Sequence, residues 1–342
     1  MAADLSGGFD PAFEFFADNR PVDPEMRDSA TLWIMDNGGG LAFPRVTFNA
    51  IGEHWDSPWV QLNFVDGDGR TLRLWSQETG FQATDGQGRA AVRGAGPLRF
   101  QCVEPFRRWT MEFAGKALAS TTARQMAGEP DDELVDLAFR VEAEMAVPPW
   151  LMGGMTAEAA RAMKSGDGSA LMGGVRYEQL CRIEGDVRID GKHYAISGTG
   201  MRVRRQGVRN MGAALGHCQQ SALFPSGRAF GAIVMAAGPD GPEAFNEAFL
   251  FEPDGRQIPA RIVKAPWMTR LVESGDDASL VLESAAGTVR IEGEVIASLF
   301  DHHLFEMAAT SVLHQGTARY SWDGEQAIGL IERCTLKDRI GG

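Results

Sequence analysis

Cysteine is scarce in this chain and never paired. Cys102, Cys181, Cys218 and Cys334 are scattered through 342 residues, and none falls in a C-x-x-C pair. That pattern argues against a disulfide framework and points to thiols kept reduced in a cytoplasm. Long apolar runs are missing too: none approaches the ~20 residues that a membrane helix needs. The opening MAADLSGGFD shows no basic stretch ahead of an apolar one, so no secretory signal is visible. Membrane insertion is therefore not expected. Positive charge is in deficit, with Lys+Arg 33 against Asp+Glu 46 and a net charge of −13. A reader of phosphate backbones needs a basic face, so nucleic acid is not an expected partner. An anionic membrane surface is disfavoured for the same reason.

Cofactor signatures are absent as well. There is no G-x-x-x-x-G-K-[ST] loop and no G-x-S-x-G elbow, and Gly38-Gly39-Gly40 runs into Leu41-Ala42-Phe43-Pro44 instead of opening a helix. No cofactor is expected. Among the six histidines the densest spot is His302-His303, with Asp301 and Glu306 close by. Adjacent residues of a strand point to opposite faces, so this reads as a polar cluster at a barrel mouth and not as a metal site. His54, His193, His217 and His314 stand alone in sequence and read as structural or surface groups.

Hairpins dominate what is there. Val60, Leu62 and Phe64 alternate with Trp59, Gln61 and Asn63, then Asp66 to Gly69 reads D-G-D-G, and Leu72 and Leu74 alternate with Thr71 and Arg73. The same strand–turn–strand pattern returns around Asp190-Gly191, Asp254-Gly255, Ala285-Ala286-Gly287 and Asp323-Gly324. Short strands at regular spacing predict an all-β chain of antiparallel sandwiches or barrels. One stretch breaks the rhythm. Pro148, Pro149 and Trp150 open a loop, Thr156 N-caps a predicted helix from Ala157 to Ser165, and Met152, Met155, Met163 and Met172 make the stretch either an apolar cover or a plain linker.

The most unusual local feature is Gly198 to Asn210, G-T-G-M-R-V-R-R-Q-G-V-R-N. On a strand, Arg202 and Arg204 share one face while Arg205 and Arg209 share the other. A buried arginine needs a carboxylate or carbonyl partner, so these residues read either as structural ion pairs or as a clamp for a ligand.

This run, together with R-Y-E-Q (Arg176 to Gln179), the following G-D-V-R-I-D-G, E-P-F-R-R-W-T-M-E-F-A-G (Glu104 to Gly115) and W-D-G-E-Q-A-I-G-L-I-E (Trp322 to Glu332), resembles the AttH-like, two-domain lipocalin-like superfamily. That superfamily includes carotenoid 1,2-hydratase, and lipocalin-like Diels–Alderases look like more distant relatives. The resemblance spans the chain from about Trp33 to the end. It implies two lipocalin-like antiparallel β-barrel domains packed together, with one short helix. The expected boundary is at the start of the arginine strand: an N-terminal domain of residues 1–197 with an insertion at about 148–174, and a C-terminal domain of 198–342. Gly200, Arg202, Gly207 and Arg209 match the framework of the motif G-x-R-D-H-S-W-G-x-R, while Val203, Arg204, Arg205 and Gln206 stand where relatives read D-H-S-W. Arg204 is thereby expected to face a ligand.

The resemblance implies a cofactor-free enzyme, a hydratase, isomerase or cyclase, acting on a terpenoid or polyketide inside a barrel pocket. The alternatives are a carrier of an apolar ligand such as a steroid or fatty acyl compound, and a structural or interaction protein whose barrels are filled with side chains. For the enzyme and the carrier the expected partner is a hydrophobic small molecule; a homodimer is left open. Proton transfer to an alkene needs a carboxyl kept neutral by burial, and Glu178, Glu332 and Asp301 are the candidates. Arg202, Arg204, His302, His303, Trp59 and Trp109 are the expected substrate contacts.

Overall fold

The computed structural model describes residues 4–131, 133–163, 174–208, 216–236, 243–302 and 310–341. The first half holds β1 (Arg27–Asp36), β2 (Leu41–Ile51), β3 (Trp59–Asp66), β4 (Arg70–Gln77), β5 (Gly80–Ala83), β6 (Val92–Ala95), β7 (Leu98–Glu104), β8 (Arg108–Thr121), β9 (Glu133–Met145), β10 (Trp150–Leu151), β11 (Val175–Ile189) and β12 (Lys192–Gly207). Antiparallel pairings run β1–β2–β3–β4–β8–β9–β11–β12 and return from β12 to β1, which closes a ring. Strands β5, β6 and β7 form a flap on the first half of β8.

The second half holds β13 (Gly216–Leu223), β14 (Ala229–Ala236), β15 (Glu243–Phe251), β16 (Gln257–Lys264), β17 (Leu280–Ser284), β18 (Gly287–Asp301), β19 (Ser311–Trp322) and β20 (Glu325–Leu336). They follow one another around a closed up-and-down barrel. Two α-helices accompany the strands, α1 (Thr122–Met126) and α2 (Ala157–Ala162). The all-β, two-barrel expectation holds. Thr156 caps α2 as expected, accepting from Ala159 N at 3.0 Å, but the described helix is shorter than the predicted span and residue 165 lies outside the described residues.

The aspartate–glycine turns explain the hairpins. Asp190 and Gly191 have φ of 49° and 78°, and Asp323 and Gly324 have 49° and 84°. Two successive residues with positive φ give the turn whose twist matches flanking strands, and Asp-Gly is the pair that adopts it most readily.

The expected boundary at 197/198 falls inside a strand. Gly198 to Gly207 pair with Asp36 to Arg27 of β1, so the arginine run completes the first barrel. The change of barrel lies between Gly207 and Gly216. The reason is strand length: β12 pairs with β11 along nearly its whole length, and from Gly198 onward its other edge closes the ring on β1.

Both interiors are packed with side chains. In the first barrel, Phe43 stacks against Phe64 and Phe139 at centroid distances of 5.1 and 4.9 Å. One end of that barrel is closed by the N-terminal segment. Glu14, fully buried, receives Arg202 at 2.8 Å, Trp109 Nε1 at 2.8 Å and the Phe106 N–H at 2.9 Å, and it also accepts from the Tyr177 hydroxyl. In the second barrel, Tyr320, Phe230 and Trp322 fill the middle, and Gln220 donates to the Tyr320 hydroxyl at 2.9 Å. Arg333 closes its far end, donating to Asp276 at 2.8 Å and to His314 Nδ1 at 3.1 Å. Eight-stranded barrels are narrow enough to be filled in this way.

The Arg202–Glu14 pair is buried on both sides, and removing one partner of such a pair costs about 3–5 kcal/mol. Arg202→Ala should therefore lower the denaturation midpoint strongly in urea titrations. Glu14→Gln combined with Arg202→Met should recover part of that loss, because no charge is then stranded.

Candidate functional site

The described side chains that converge without serving either interior lie in the seam between the barrels. Period two along each strand sends alternate residues there. On the second barrel, His217, Gln219 and Ser221 of β13 share one face. Gln219 and Gln315 flank Glu332 of β20, and Ser221 and Thr317 flank Leu330. On the first barrel, Arg176 and Glu178 of β11 and Val203 and Arg205 of β12 face the same way, with Arg45 of β2 and Asn63 of β3 beside them. Trp33, Met35, Leu180 and Met201 of the first barrel pack with Leu223, Ile233, Ile328 and Leu330 of the second, which gives the seam an apolar wall.

Two of the three expected acids meet in this seam. Glu332 holds Arg45 at 2.6 Å and His217 Nε2 at 2.9 Å, and it accepts from the amide of Gln315. That glutamine is itself held by Asn63 at 2.5 Å. Glu178 is paired with Arg176 and receives Gln219 Nε2 at 3.0 and 2.9 Å. Their environments push them apart. Burial raises the Glu178 pKa; Arg176 and Gln219 oppose that without cancelling it, and the charge of Glu332 adds to the rise. Burial also acts on Glu332, but Arg45, His217 and Gln315 outweigh it and hold its carboxyl well below the usual range. One carboxyl biased to keep its proton beside one held ionised is the arrangement that divides acid from base.

Several buried polar atoms of the seam lack a hydrogen-bond partner among the described residues: Trp33 Nε1, Arg45 Nε, His217 Nδ1, Ser221 Oγ and Thr317 Oγ1. Leaving such a group unsatisfied costs about 1–3 kcal/mol. Other such atoms lie away from the seam, among them Asn49 Oδ1, Ser120 Oγ and Gln257 Nε2.

The other expected residues are placed elsewhere. Asp301 sits at a rim with Arg73 at 3.4 Å, and His302 Nε2 lies 2.8 Å from the carbonyl of Gln125. His303 and Arg209 lie outside the described residues. Arg202 and Trp109 belong to the Glu14 plug. Arg204 does not face a ligand: it is buried against Asp28 and donates to the Phe15 carbonyl at 2.7 Å. Its face of β12 is the barrel interior, where burial requires an acidic partner. Trp59 packs on Trp75 at 5.7 Å, on the outside of the first barrel. Sequence reading missed Arg45, Arg176, Gln219, Gln315 and His217. The available signal was polar residues at alternate positions, His217-Gln219-Ser221 and Gln315-Thr317, on strands buried on both faces.

The loop ahead of α2 is tied across the seam by one carboxylate. Glu247 of β15 accepts from Trp150 Nε1 at 2.8 Å and from the N–H groups of Gly153 and Met155 at 2.7 and 2.8 Å. The stretch read as cover or linker is thus fastened over the junction of the barrels.

Residues 12–337 match the model of the family described as a domain of unknown function, DUF7064. The chain belongs to this family. No curated protein matches it by sequence. Among solved structures, a Nitrosomonas europaea protein assigned as an AttH is similar with a TM-score of 0.54 at 13% identity, over 91% of this chain and 92% of that one. CghA is similar in its complex with Sch210972, with a TM-score of 0.58 at 12% identity, over 95% of this chain and 97% of that one. A second CghA structure gives 0.57 at 11% identity, with the same coverage. This DUF7064 chain therefore has the two-barrel AttH-like fold to which its motifs pointed. Among the described residues, no helix is long and apolar enough to cross a membrane.

The two carboxyls carry opposite pH signatures. Glu332 has a depressed pKa, so its stabilisation is present above the ordinary 4.5 and is lost as pH falls below it. Glu178 has a raised pKa, so the folded state holds a proton that the unfolded state releases, and stability falls as pH rises above 4.5. Chemical denaturation across pH should show Glu332→Gln least stable relative to the parent near neutrality, with the gap narrowing in acid. Glu178→Gln should gain on the parent as pH rises.

Proposed function

We propose that the protein is a cofactor-free acid–base enzyme acting on an apolar small molecule bound in the seam between its barrels, as a hydratase, isomerase or cyclase. The observation that carries this reading is the pair of buried carboxyls, Glu178 biased to stay protonated and Glu332 held ionised, beside a wall of Trp33, Met201 and Leu330. A buried acid can protonate an alkene or polarise a carbonyl, and apolar walls exclude water and hold one conformer of the substrate. Because both barrel interiors are packed with side chains, this reading puts the ligand at the junction of the two barrels and not inside one. The fold shared with CghA, whose structure holds the small molecule Sch210972, supports a small-molecule ligand. The absence of nucleotide-binding motifs from the sequence supports the cofactor-free part.

Chelator-treated protein incubated with a panel of terpenoids and polyketides and followed by mass spectrometry tests the reading. Glu178→Gln should bind the converted ligand nearly as well as the parent and lose about 100-fold or more of the turnover. Tight binding with unchanged ligand across the panel would identify a carrier instead.

A further inference from the structure

His217 is the side chain of the seam whose geometry says most. Its Nε2 lies 2.9 Å from Glu332 Oε1. Glu332 is ionised and can only accept, so Nε2 carries the hydrogen, and in the neutral ring the lone pair is on Nδ1. The carboxylate cannot turn away, because its other oxygen takes Arg45 at 2.6 Å and the Gln315 amide that Asn63 holds. The imidazole is therefore aimed. His217 is 5% exposed, and its Nδ1 has no hydrogen-bond partner among the described residues. His314 offers a contrast: both of its ring nitrogens are used inside the second barrel, by Arg333 at 3.1 Å and Ser298 at 3.0 Å.

Two further unpartnered atoms define what the ligand must bring. Trp33 Nε1 and Arg45 Nε are buried and can only donate. The Arg45 guanidinium lies 5.5 Å over the ring of Trp33, so the two groups are neighbours. They call for an acceptor oxygen. Arg45 is already neutralised by Glu332, which favours an uncharged carbonyl over a second carboxylate.

We propose that His217 Nδ1 is the proton acceptor of this site and that the substrate is an apolar ketone or enone whose carbonyl oxygen takes the N–H groups of Trp33 and Arg45. This rests on the seam being the substrate site. In the first step Nδ1 takes a proton from the carbon beside the carbonyl. The C–H electron pair becomes the new C=C bond, and the carbonyl π pair moves onto oxygen, where the two N–H groups stabilise it. In an unsaturated substrate Glu178, when it holds a proton, then gives it to the far end of the conjugated chain, and the carbonyl re-forms. The imidazolium returns its proton to Glu178 and the cycle closes, with one double bond shifted and no net oxidation. Gln219 links the two groups: it follows His217 on the same face of β13 and hydrogen-bonds Glu178.

Geranylacetone, an apolar ketone, and the alcohol made by reducing it are suitable probes. Calorimetry should show both binding the parent, with the ketone bound more tightly, and Trp33→Phe should remove that preference. In D2O the parent should speed deuterium incorporation beside the ketone carbonyl, and His217→Asn should lose about 100-fold or more of that rate while still binding geranylacetone. Glu332→Gln should also exchange more slowly while still binding geranylacetone, because the carboxylate that holds the imidazole in its aimed position is gone. Arg45, Arg176, Arg205 and Glu178, the other charged groups of the seam, remain in that variant. Geranylacetone that binds but is not exchanged, exchange that persists in His217→Asn, or an undiminished rate in Glu332→Gln would overturn this inference and leave the seam reading standing. Failure of ketone and alcohol alike to bind would overturn both.

Discussion

The ion pair between Arg45 and Glu332 joins residues 287 positions apart and ties one closed barrel to the other. Its carboxylate is buried, and His217 and Gln315, the latter held by Asn63, fill the hydrogen-bonding positions that Arg45 leaves open. That arrangement organises the seam. Each barrel alone would leave part of the cluster without its partner: Arg45 on one side, and on the other Gln219 and the carboxylate that Arg45 neutralises. Docking satisfies both halves and leaves a small set of polar atoms pointing at one place.

Closure of the barrels imposes the complementary constraint. A ring of eight strands is narrow, so its interior is taken by phenylalanines, tyrosine and the Glu14 plug, and a ligand of any size must go elsewhere. The seam supplies what an interior cannot: an apolar wall from both barrels, opposed carboxyls, and a loop fastened over it by Glu247. The stability of the fold and the chemistry of the site thus depend on the same junction.

Much of the fold was legible because strands announce themselves locally. Asp-Gly pairs marked the turns, and alternation marked the strands. The boundary was misplaced because a strand shared by a hairpin and a closing pair looks the same from either side of Gly198. The site was legible only in part. Glu178 and Glu332 were both expected as candidates for a neutral carboxyl, yet Arg45 and His217 hold Glu332 ionised. Period two gives two faces without saying which is interior and which is seam, so Arg204 and Trp109 were assigned to a ligand when they serve the core. His217 looked isolated because the residue that gives it meaning is 115 positions away. Asp301 shares a rim with Arg73 for the same kind of reason, since its neighbours come from the other barrel.

The central claim is that ligand binds between the barrels. A crystal structure of the protein soaked with geranylacetone tests it most directly. The account predicts density in the seam, with the carbonyl oxygen against Trp33 Nε1 and Arg45 and the chain along Met201 and Leu330. Density enclosed within either barrel, displacing Phe43 or Tyr320, would contradict it.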